Sequence, residues 1–518
     1  MKLIFGRVGS GKTTQVLQRL CRAGQERRQI LMVPEQQSHE AERALCRVGG
    51  DQVSLFAEVL SFSRLANRVF LAAGGMGEPE LDAGGRILMM HRAVRSVVSQ
   101  LTVYARPSRR PAFLEELLST VDELKSCCVR PEVLLQTGGE IGGAEGEKLR
   151  DLGLICMAYE ALTAQTALDP RDRLTRTSEK LKTCPWAEGA DLWLDGFTDF
   201  TPQQQEVLRE LVKQAHSVTV TLTCDHLEED EGGMGVFSPA RHTAASLRRL
   251  AKQEGVSWEV ELQDFKDPER VPALQVVEQQ LFGGEAAEPS LCKGAVEVYQ
   301  AATPRSEVER TAARIRELVR KEGYRYREIG VVARNFALYQ PLVESIFPRY
   351  QVPVFSSAMS NVLDKPILTL VTAALETVAG GYRYEDVFRY LKTGLTQLSQ
   401  EDQDLLENYV LKWNLRGSRW TQKKPWDMHP GGYGQTWSEE DKALVKRMDR
   451  ARRQVAEPLE LLRRNQDRTG RGQAMALYRF LEQIGLPERL EERVEELHRR
   501  DQAVLAEEYR QLWSILCG

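Results

Sequence analysis

The residues best suited to chemistry stand at the start of the chain, in a glycine-rich segment. The run Gly6-Arg7-Val8-Gly9-Ser10-Gly11-Lys12-Thr13-Thr14 satisfies the phosphate-loop pattern G-x-x-x-x-G-K-[ST]. Its glycines allow a tight turn that directs backbone N–H groups at phosphate oxygens, and the next helix adds its positive end. We expect Lys12 to reach the β- and γ-phosphates of ATP and Thr13 to bind magnesium. All nine residues are predicted to bind nucleotide.

A second chemical signal is an aspartate at the end of an apolar run. Leu192-Trp193-Leu194 is predicted to be a strand, and Asp195 follows it at the position from which a carboxylate orients nucleotide-bound magnesium. An aspartate that simply ends a strand in a turn is the alternative. The next residue is Gly196, where a water-activating carboxylate is expected in a hydrolase. The sequence therefore predicts nucleotide binding more strongly than hydrolysis.

The elements around these residues indicate a doubly wound α/β domain. Lys2 to Phe5 is predicted to be the strand before the loop, and Val16, Leu17 and Leu20 share one face of the helix after it. Later segments add strands and a capped helix. These are Ile30 to Val33, the capping box Thr201-Pro202-Gln203-Gln204, the helix from Val207 to Ala215 and the alternating strand from Val218 to Thr223.

With 518 residues, at about 150 per domain, the chain should hold three to four domains. We predict a first P-loop domain from residues 1–77 plus 186–285, interrupted by a helical insertion at 78–185. Within the insertion, the glycine-rich segment 137–143 is interpreted as a flexible loop.

The second half repeats this organisation. Residues 286–368 are predicted to begin a second α/β domain, with strands at 296–299, 329–335 and 353–355. Residues 369–518 are predicted to be a second helical domain, which we expect to continue past Gly518.

Charge excludes a uniformly basic nucleic-acid coat, because 70 basic and 74 acidic residues give a net charge of −4. Local basic patches that bind nucleic acid are not excluded by the net charge. The segment from Lys442 to Arg453 carries six Lys/Arg against Asp449, and four tryptophans precede it, at 413, 420, 426 and 437. A solvent-exposed helix face is the default interpretation, and contact with a nucleic-acid backbone is the alternative.

Nine scattered cysteines show no metal-ligand spacing, so we expect incidental thiols in a reducing cytoplasm. No apolar stretch approaches the roughly 18 residues of a membrane span, and the start lacks a signal-peptide core. The expected location is cytoplasmic, without a membrane.

Several segments resemble the AddB family, the partner subunits of AddAB helicase–nucleases. They are the loop at 3–13, Leu31-Met32-Val33-Pro34-Glu35-Gln36, the segments 60–66 and 194–202, and Val331-Val332-Ala333-Arg334, which is similar to helicase motif IV. The resemblance implies two RecA-like P-loop domains of superfamily 1 helicase type. It also implies that Arg334 approaches the nucleotide from the second sheet.

The same resemblance implies the function of the N-terminal, helicase-like half of an AddB-type subunit, which processes DNA double-strand breaks for recombinational repair. Such a subunit binds ATP, magnesium and DNA, and helps to recognise a regulatory sequence while an AddA-type motor subunit, its heterodimer partner, drives translocation. The nuclease and its iron–sulfur cluster are expected only past Gly518.

Three alternatives remain. A DNA-binding scaffold with a relic P-loop is favoured by the missing carboxylate at Gly196. A small-molecule P-loop kinase leaves the second α/β domain and the helical blocks unexplained. A competent single-chain motor is disfavoured because it requires an activating glutamate.

Overall fold

A parallel β-sheet forms the centre of the first of two units, Met1–Val298 and Tyr299–Gly518. The computed structural model describes residues 1–24, 26–107, 110–228, 235–264, 271–280, 294–355 and 365–517. The division between the units falls at 298/299. The finer predicted boundaries stay predictions, and the one at 285/286 lies outside the described residues.

The sheet has six parallel strands in the order β3-β2-β4-β5-β1-β6. Because all strands run in one direction, their carboxyl ends meet at one edge, and loops from distant parts of the chain come together there. The strands are β1 Lys2–Gly6, β2 Gln29–Met32, β3 Ala57–Leu60, β4 Asp191–Leu194, β5 Ser217–Thr223 and β6 Glu259–Leu262.

Helices cover both faces of the sheet, which explains why its central strands are apolar on both sides. Leu3 and Ile4, adjacent in β1, belong to opposite core clusters. The Ile4 face packs on α1 Lys12–Ala23 and α2 Ser38–Gly49. The Leu3 face packs on α3 Phe62–Ala73, α8 Arg173–Leu181, α9 Pro202–Gln214 and α10 Ser238–Gln253. This confirms the predicted α/β class, and the capping box at Thr201 is present.

The predicted helical insertion consists of α4 Ala83–Val97, α5 Pro111–Ser126, α6 Pro131–Ile141 and α7 Gly143–Thr166, before α8. Most of the segment 137–143 is helical, so the predicted flexible loop was wrong. A Cβ on Gly138 would lie 2.7 Å from the carbonyl oxygen of Gly146. These glycines therefore allow α6 and α7 to approach closely, and only Gly142 and Gly143, with φ of 65° and 62°, make the turn.

A short helix, α11 Pro272–Gln280, is the last described helix of the first unit. The second unit begins with α12 Pro304–Lys321 and α13 Phe336–Ile346. The predicted strands at 296–299, 329–335 and 353–355 are not strands in the described residues. Val298, Val332 and Phe355 are 97%, 95% and 93% exposed. An apolar run can form a strand only beside a hydrogen-bonding neighbour, and the described residues supply none here.

The described remainder of the second unit is helical and has one large apolar core that includes Trp420 and Trp426. Its helices are α14 Pro366–Ala379, α15 Tyr384–Leu391, α16 Gln400–Trp413, α17 Ser418–Thr421, α18 Glu439–Arg464, α19 Gly470–Gln483, α20 Leu486–Arg499 and α21 Ala503–Cys517. None of the described helices has the length and apolarity that crossing a membrane requires.

Candidate functional site: the phosphate loop and its aspartate

The glycine-rich loop joins β1 to α1 at the carboxyl edge of the sheet. Gly9 and Gly11 both have a φ of 79°, a conformation that other residues adopt at a cost. Gly11 is the N-cap of α1, and neither a side-chain cap nor an acidic residue in the first turn satisfies the helix N-terminus. The first N–H groups of a helix lack intrahelical partners and favour an anion. The end of α1 is therefore suited to a phosphate group.

The ammonium group of Lys12 lies within the loop. It donates hydrogen bonds to the carbonyl oxygens of Gly6 (2.7 Å) and Arg7 (2.8 Å), and the residue is only 8% exposed. Burial lowers the pKa of Lys12, while the carboxylates of Asp195 and Glu278 oppose that shift. Its third partner, the Ser10 hydroxyl at 3.4 Å, is also neutral, so this buried cation is available to pair with an incoming anion.

Asp195 follows β4 at the same edge and is held by two hydroxyl groups. Thr13 donates to its Oδ2 atom at 2.7 Å, and Thr221 donates to Oδ1. The pairing of Leu194 with Val220 places Asp195 level with Thr221 on β5. Sequence analysis predicted Thr13 and Asp195 but missed Thr221. A polar residue near the end of an otherwise buried strand was the signal that could have identified it.

The donor set at this position fits magnesium. Mg²⁺ prefers oxygen ligands, and nucleotide sites usually supply one or two protein oxygens while phosphates and water provide the others. Thr13 and Asp195 bring a hydroxyl and a carboxylate into direct contact beside the open end of α1. Asp195 is 8% exposed, and the hydroxyl groups that bind it carry no charge. Lys12 acts on this carboxylate through space, and a divalent cation would add a positive charge in direct contact with it.

Gly196 occupies the position predicted to lack a catalytic carboxylate. Its backbone conformation and its close neighbours both disfavour a side chain there. Its φ is 81°, and a Cβ built on it would lie 2.5 Å from Oε1 of Gln37 and 3.4 Å from Cδ of Pro34. Sequence analysis did not identify Gln37. The carboxamide of Gln37 stands where a side chain on residue 196 would begin and would have to swing away. The positive φ strains any other residue at this position, so glutamate is not readily accepted there.

The remaining predicted residues are distributed as follows. Arg7 forms an ion pair at 2.8 Å with Glu278 of α11, a contact that no sequence pattern indicated. Ser10 is buried, whereas Val8, Gly9, Thr13 and Thr14 are exposed. Arg334 is exposed and belongs to the second unit, just before α13, so its approach to the nucleotide stays a prediction.

These features define an α/β protein with a P-loop at the carboxyl edge of a parallel sheet. Residues 3–278 match the family model described as "ADDB, N-terminal". The chain therefore belongs to the AddB family, whose N-terminal region this model describes.

Curated relatives match over the whole chain. A protein of Acetivibrio thermocellus, named as a subunit of an ATP-dependent helicase/deoxyribonuclease, is 34% identical over 100% of this chain and 46% of its own length. Proteins with the same name from Pelotomaculum thermopropionicum and Thermoanaerobacter sp. are 34% and 32% identical, over 99% and 100% of this chain and 46% of their own lengths. The chain thus spans about half the length of these relatives.

Proposed function

We propose that this chain is the N-terminal, helicase-like part of a subunit of an ATP-dependent helicase/nuclease that acts on DNA double-strand breaks in recombinational repair. The observation that carries the ATP-binding part is the cluster of Thr13, Asp195 and Thr221 beside the uncapped N-terminus of α1. The names of the relatives support the helicase/nuclease assignment.

In this proposal, phosphate oxygens bind the loop from Gly6 to Thr14, and Lys12 exchanges its carbonyl partners for them. Thr13 and Asp195 hold magnesium. Arg334 would contribute from a second RecA-like domain that begins within 286–368. Binding occurs without efficient hydrolysis, because Gly196 carries no carboxylate and Gln37 occupies the adjacent space.

We further propose that the chain acts in the cytoplasm on DNA and with an AddA-type subunit as heterodimer partner. That partner would drive translocation, while this chain contributes to recognition of a regulatory sequence. The nuclease and its iron–sulfur cluster would belong to the part of the relatives' length that this chain does not span.

The test is titration of the 518-residue chain with a fluorescent, non-hydrolysable ATP analogue and magnesium. We expect Lys12→Ala to weaken binding at least 100-fold, because it removes the only lysine in the loop. The matched control is Lys182→Ala, an exposed lysine outside the loop, which should bind as the wild type does. Unchanged affinity of Lys12→Ala would contradict the proposed nucleotide site.

A second function, a DNA-binding scaffold with a relic P-loop, is favoured by the left-handed backbone of Gly196 and by Gln37, which occupies the space that a side chain there would need. The same titration separates the two proposals. Saturable, magnesium-dependent binding by the wild type supports the nucleotide site, and no binding by the folded wild type supports the scaffold.

A further inference from the structure

An open groove of about 700 Å³ lies beside the first half of α18, entirely within the second unit. Its size is in the range of ligand sites. Basic and aromatic side chains dominate its lining, notably Trp426, Trp437, Lys442, Lys446, Arg450 and Arg453. The function proposed above assigns no role to this groove.

The basic side chains follow one face of α18. Lys442, Lys446 and Arg450 are four residues apart, so they recur about every 6 Å along the helix axis. Lys442 pairs with the exposed Glu439 at 2.7 Å. Across the described residues, neither Lys446 nor Arg450 forms an ion pair. The groove therefore presents positive charge that is available to a ligand.

The two acidic groups of the groove do not cancel this charge. Asp449 is 6% exposed and accepts hydrogen bonds from Arg452 (2.9 Å), Arg453 (3.0 Å) and the backbone N–H of Trp426 (3.1 Å). Asp427 pairs with Lys424 at 2.6 Å. The carboxylates are thus already compensated, and the charge facing the groove is positive.

An aromatic ring is available next to these charges. Trp437 immediately precedes Ser438, the N-cap of α18, and is 44% exposed. The ring of His429 contacts it edge-on, with centroids 4.7 Å apart, and so helps to fix its position. Exposed aromatic rings beside basic side chains bind single strands, because bases stack on the ring while cations contact the phosphates.

We infer that this groove binds a single-stranded nucleic-acid segment, with successive phosphates along Lys442, Lys446 and Arg450 and a base on Trp437. A single strand fits better than a duplex because duplex bases are stacked on each other and present no free face. An acidic peptide would use the basic residues but would leave the exposed Trp437 without a stacking partner. The inference rests on one part of the proposed function, namely that the chain acts on DNA.

The charge contribution is tested by fluorescence anisotropy of a labelled oligo-dT with the 518-residue chain. The variant Lys446→Ala/Arg450→Ala should bind at least tenfold more weakly at low salt. Each phosphate contact to a single strand contributes about 0.7 to the slope of log K against log salt, so the slope should fall by about 1.4. The control Arg463→Ala/Arg464→Ala removes two charges from the same helix, away from the groove, and should change neither quantity.

The aromatic contribution is tested with Trp437→Ala and an abasic oligonucleotide of equal length. Because it removes the ring on which one base stacks, Trp437→Ala should weaken oligo-dT binding by at least about fivefold. The abasic strand should bind wild type and Trp437→Ala equally. Equal loss on both strands would overturn the stacking assignment, and stronger binding of polyglutamate than of oligo-dT would identify an acidic peptide as the ligand instead.

The outcomes separate this inference from the proposed function. If the wild type binds oligo-dT and both groove variants bind it as tightly, the groove is not the site, but DNA binding by the chain stands. If the wild type binds no single-stranded DNA while Lys12-dependent nucleotide binding persists, the DNA-binding part of the proposed function fails together with the groove.

Discussion

Two buried aspartates of the first unit, Asp169 and Asp195, are held in different ways. Asp169 is 1% exposed and pairs with Lys125 (2.9 Å) and Arg86 (3.1 Å), and it also accepts a hydrogen bond from Tyr159 (3.0 Å). Asp195 is 8% exposed and is bound by two neutral hydroxyl groups, those of Thr13 and Thr221. Within the described residues, the carboxylate of Asp169 has cations in direct contact, whereas that of Asp195 interacts with Lys12 without forming an ion pair.

The difference suggests a structural role for the charge of Asp169 and leads us to expect a ligand-binding role for the charge of Asp195. Burying a carboxylate is costly unless it is paired, and the cations around Asp169 meet that requirement. Its contacts join α4, α5 and α7 in one network. The contacts of Asp195 satisfy its hydrogen bonds without a cation in contact, so we expect a cation that arrives with a ligand to bind there. The comparison predicts that removing the first charge damages the fold and that removing the second damages ligand binding.

The largest effect is expected for Asp169→Asn. The substitution removes the buried carboxylate that Lys125 and Arg86 share. Because Lys125 keeps Asp172 and Arg86 keeps Asp122, we expect a loss of about 1.5–3 kcal/mol, the range for hydrogen bonds to charged groups. The measurement is the free energy of unfolding from urea denaturation, monitored by circular dichroism. A loss below about 1 kcal/mol would contradict the structural role of Asp169.

The pH dependence of stability gives an independent measure of the same network. Burial alone would raise the pKa of Asp169, but Lys125, the backbone N–H of Arg171 and Arg86 outweigh it and lower the pKa. A lowered pKa stabilises the fold above the unfolded value, about 3.9, and this contribution is lost as the pH falls through the folded value. The stability difference between wild type and Asp169→Asn should therefore shrink below about pH 4.

An intermediate effect is expected for Gly196→Glu, next to Asp195. A non-glycine residue at a φ of 81° costs about 1–2 kcal/mol, and the end of the Gln37 side chain must also move. We expect this loss of stability without a gain in ATP hydrolysis, measured by phosphate release. Rapid hydrolysis by the variant would show that the missing carboxylate alone prevents turnover. The control Gly189→Glu, also at positive φ (68°) but with open space around it, isolates the backbone cost.

The smallest effect on stability is expected for Asp195→Asn. The residue keeps its size and can still accept a hydrogen bond, so the loss should stay below about 1 kcal/mol. Nucleotide binding should instead lose its dependence on magnesium, as titration of the ATP analogue with and without the cation would show. A loss comparable to that of Asp169→Asn would erase the distinction between the two aspartates.

Local patterns predicted much of the first unit. The loop pattern, the apolar strands and the Thr201 capping box are all short-range features, because each depends on residues close together in the chain. Thr13 and Asp195 were predicted to act together from their roles, although 182 positions separate them. Thr221 and Gln37 were not found, because their proximity to Asp195 and Gly196 depends on which strands and loops are neighbours at the sheet edge.

The wrong predictions arise for the same reason, namely that the outcome depends on tertiary neighbours. Gly138 was interpreted as part of a loop because glycine breaks helices in isolation, whereas here it lets α6 approach Gly146 of α7. The apolar runs at 296–299 and 353–355 suggested strands, but pairing depends on a neighbour that the runs themselves do not specify.

The sequence by itself determined the phosphate loop, the aspartate that follows β4, the missing carboxylate at Gly196 and the α/β class of the first unit. Tertiary structure alone decided that neutral hydroxyl groups hold Asp195, that cations hold Asp169, and that Trp437 and the basic face of α18 line one groove. The physical reason is that residue type and spacing define what a side chain can do, while its charge balance depends on partners brought together by packing.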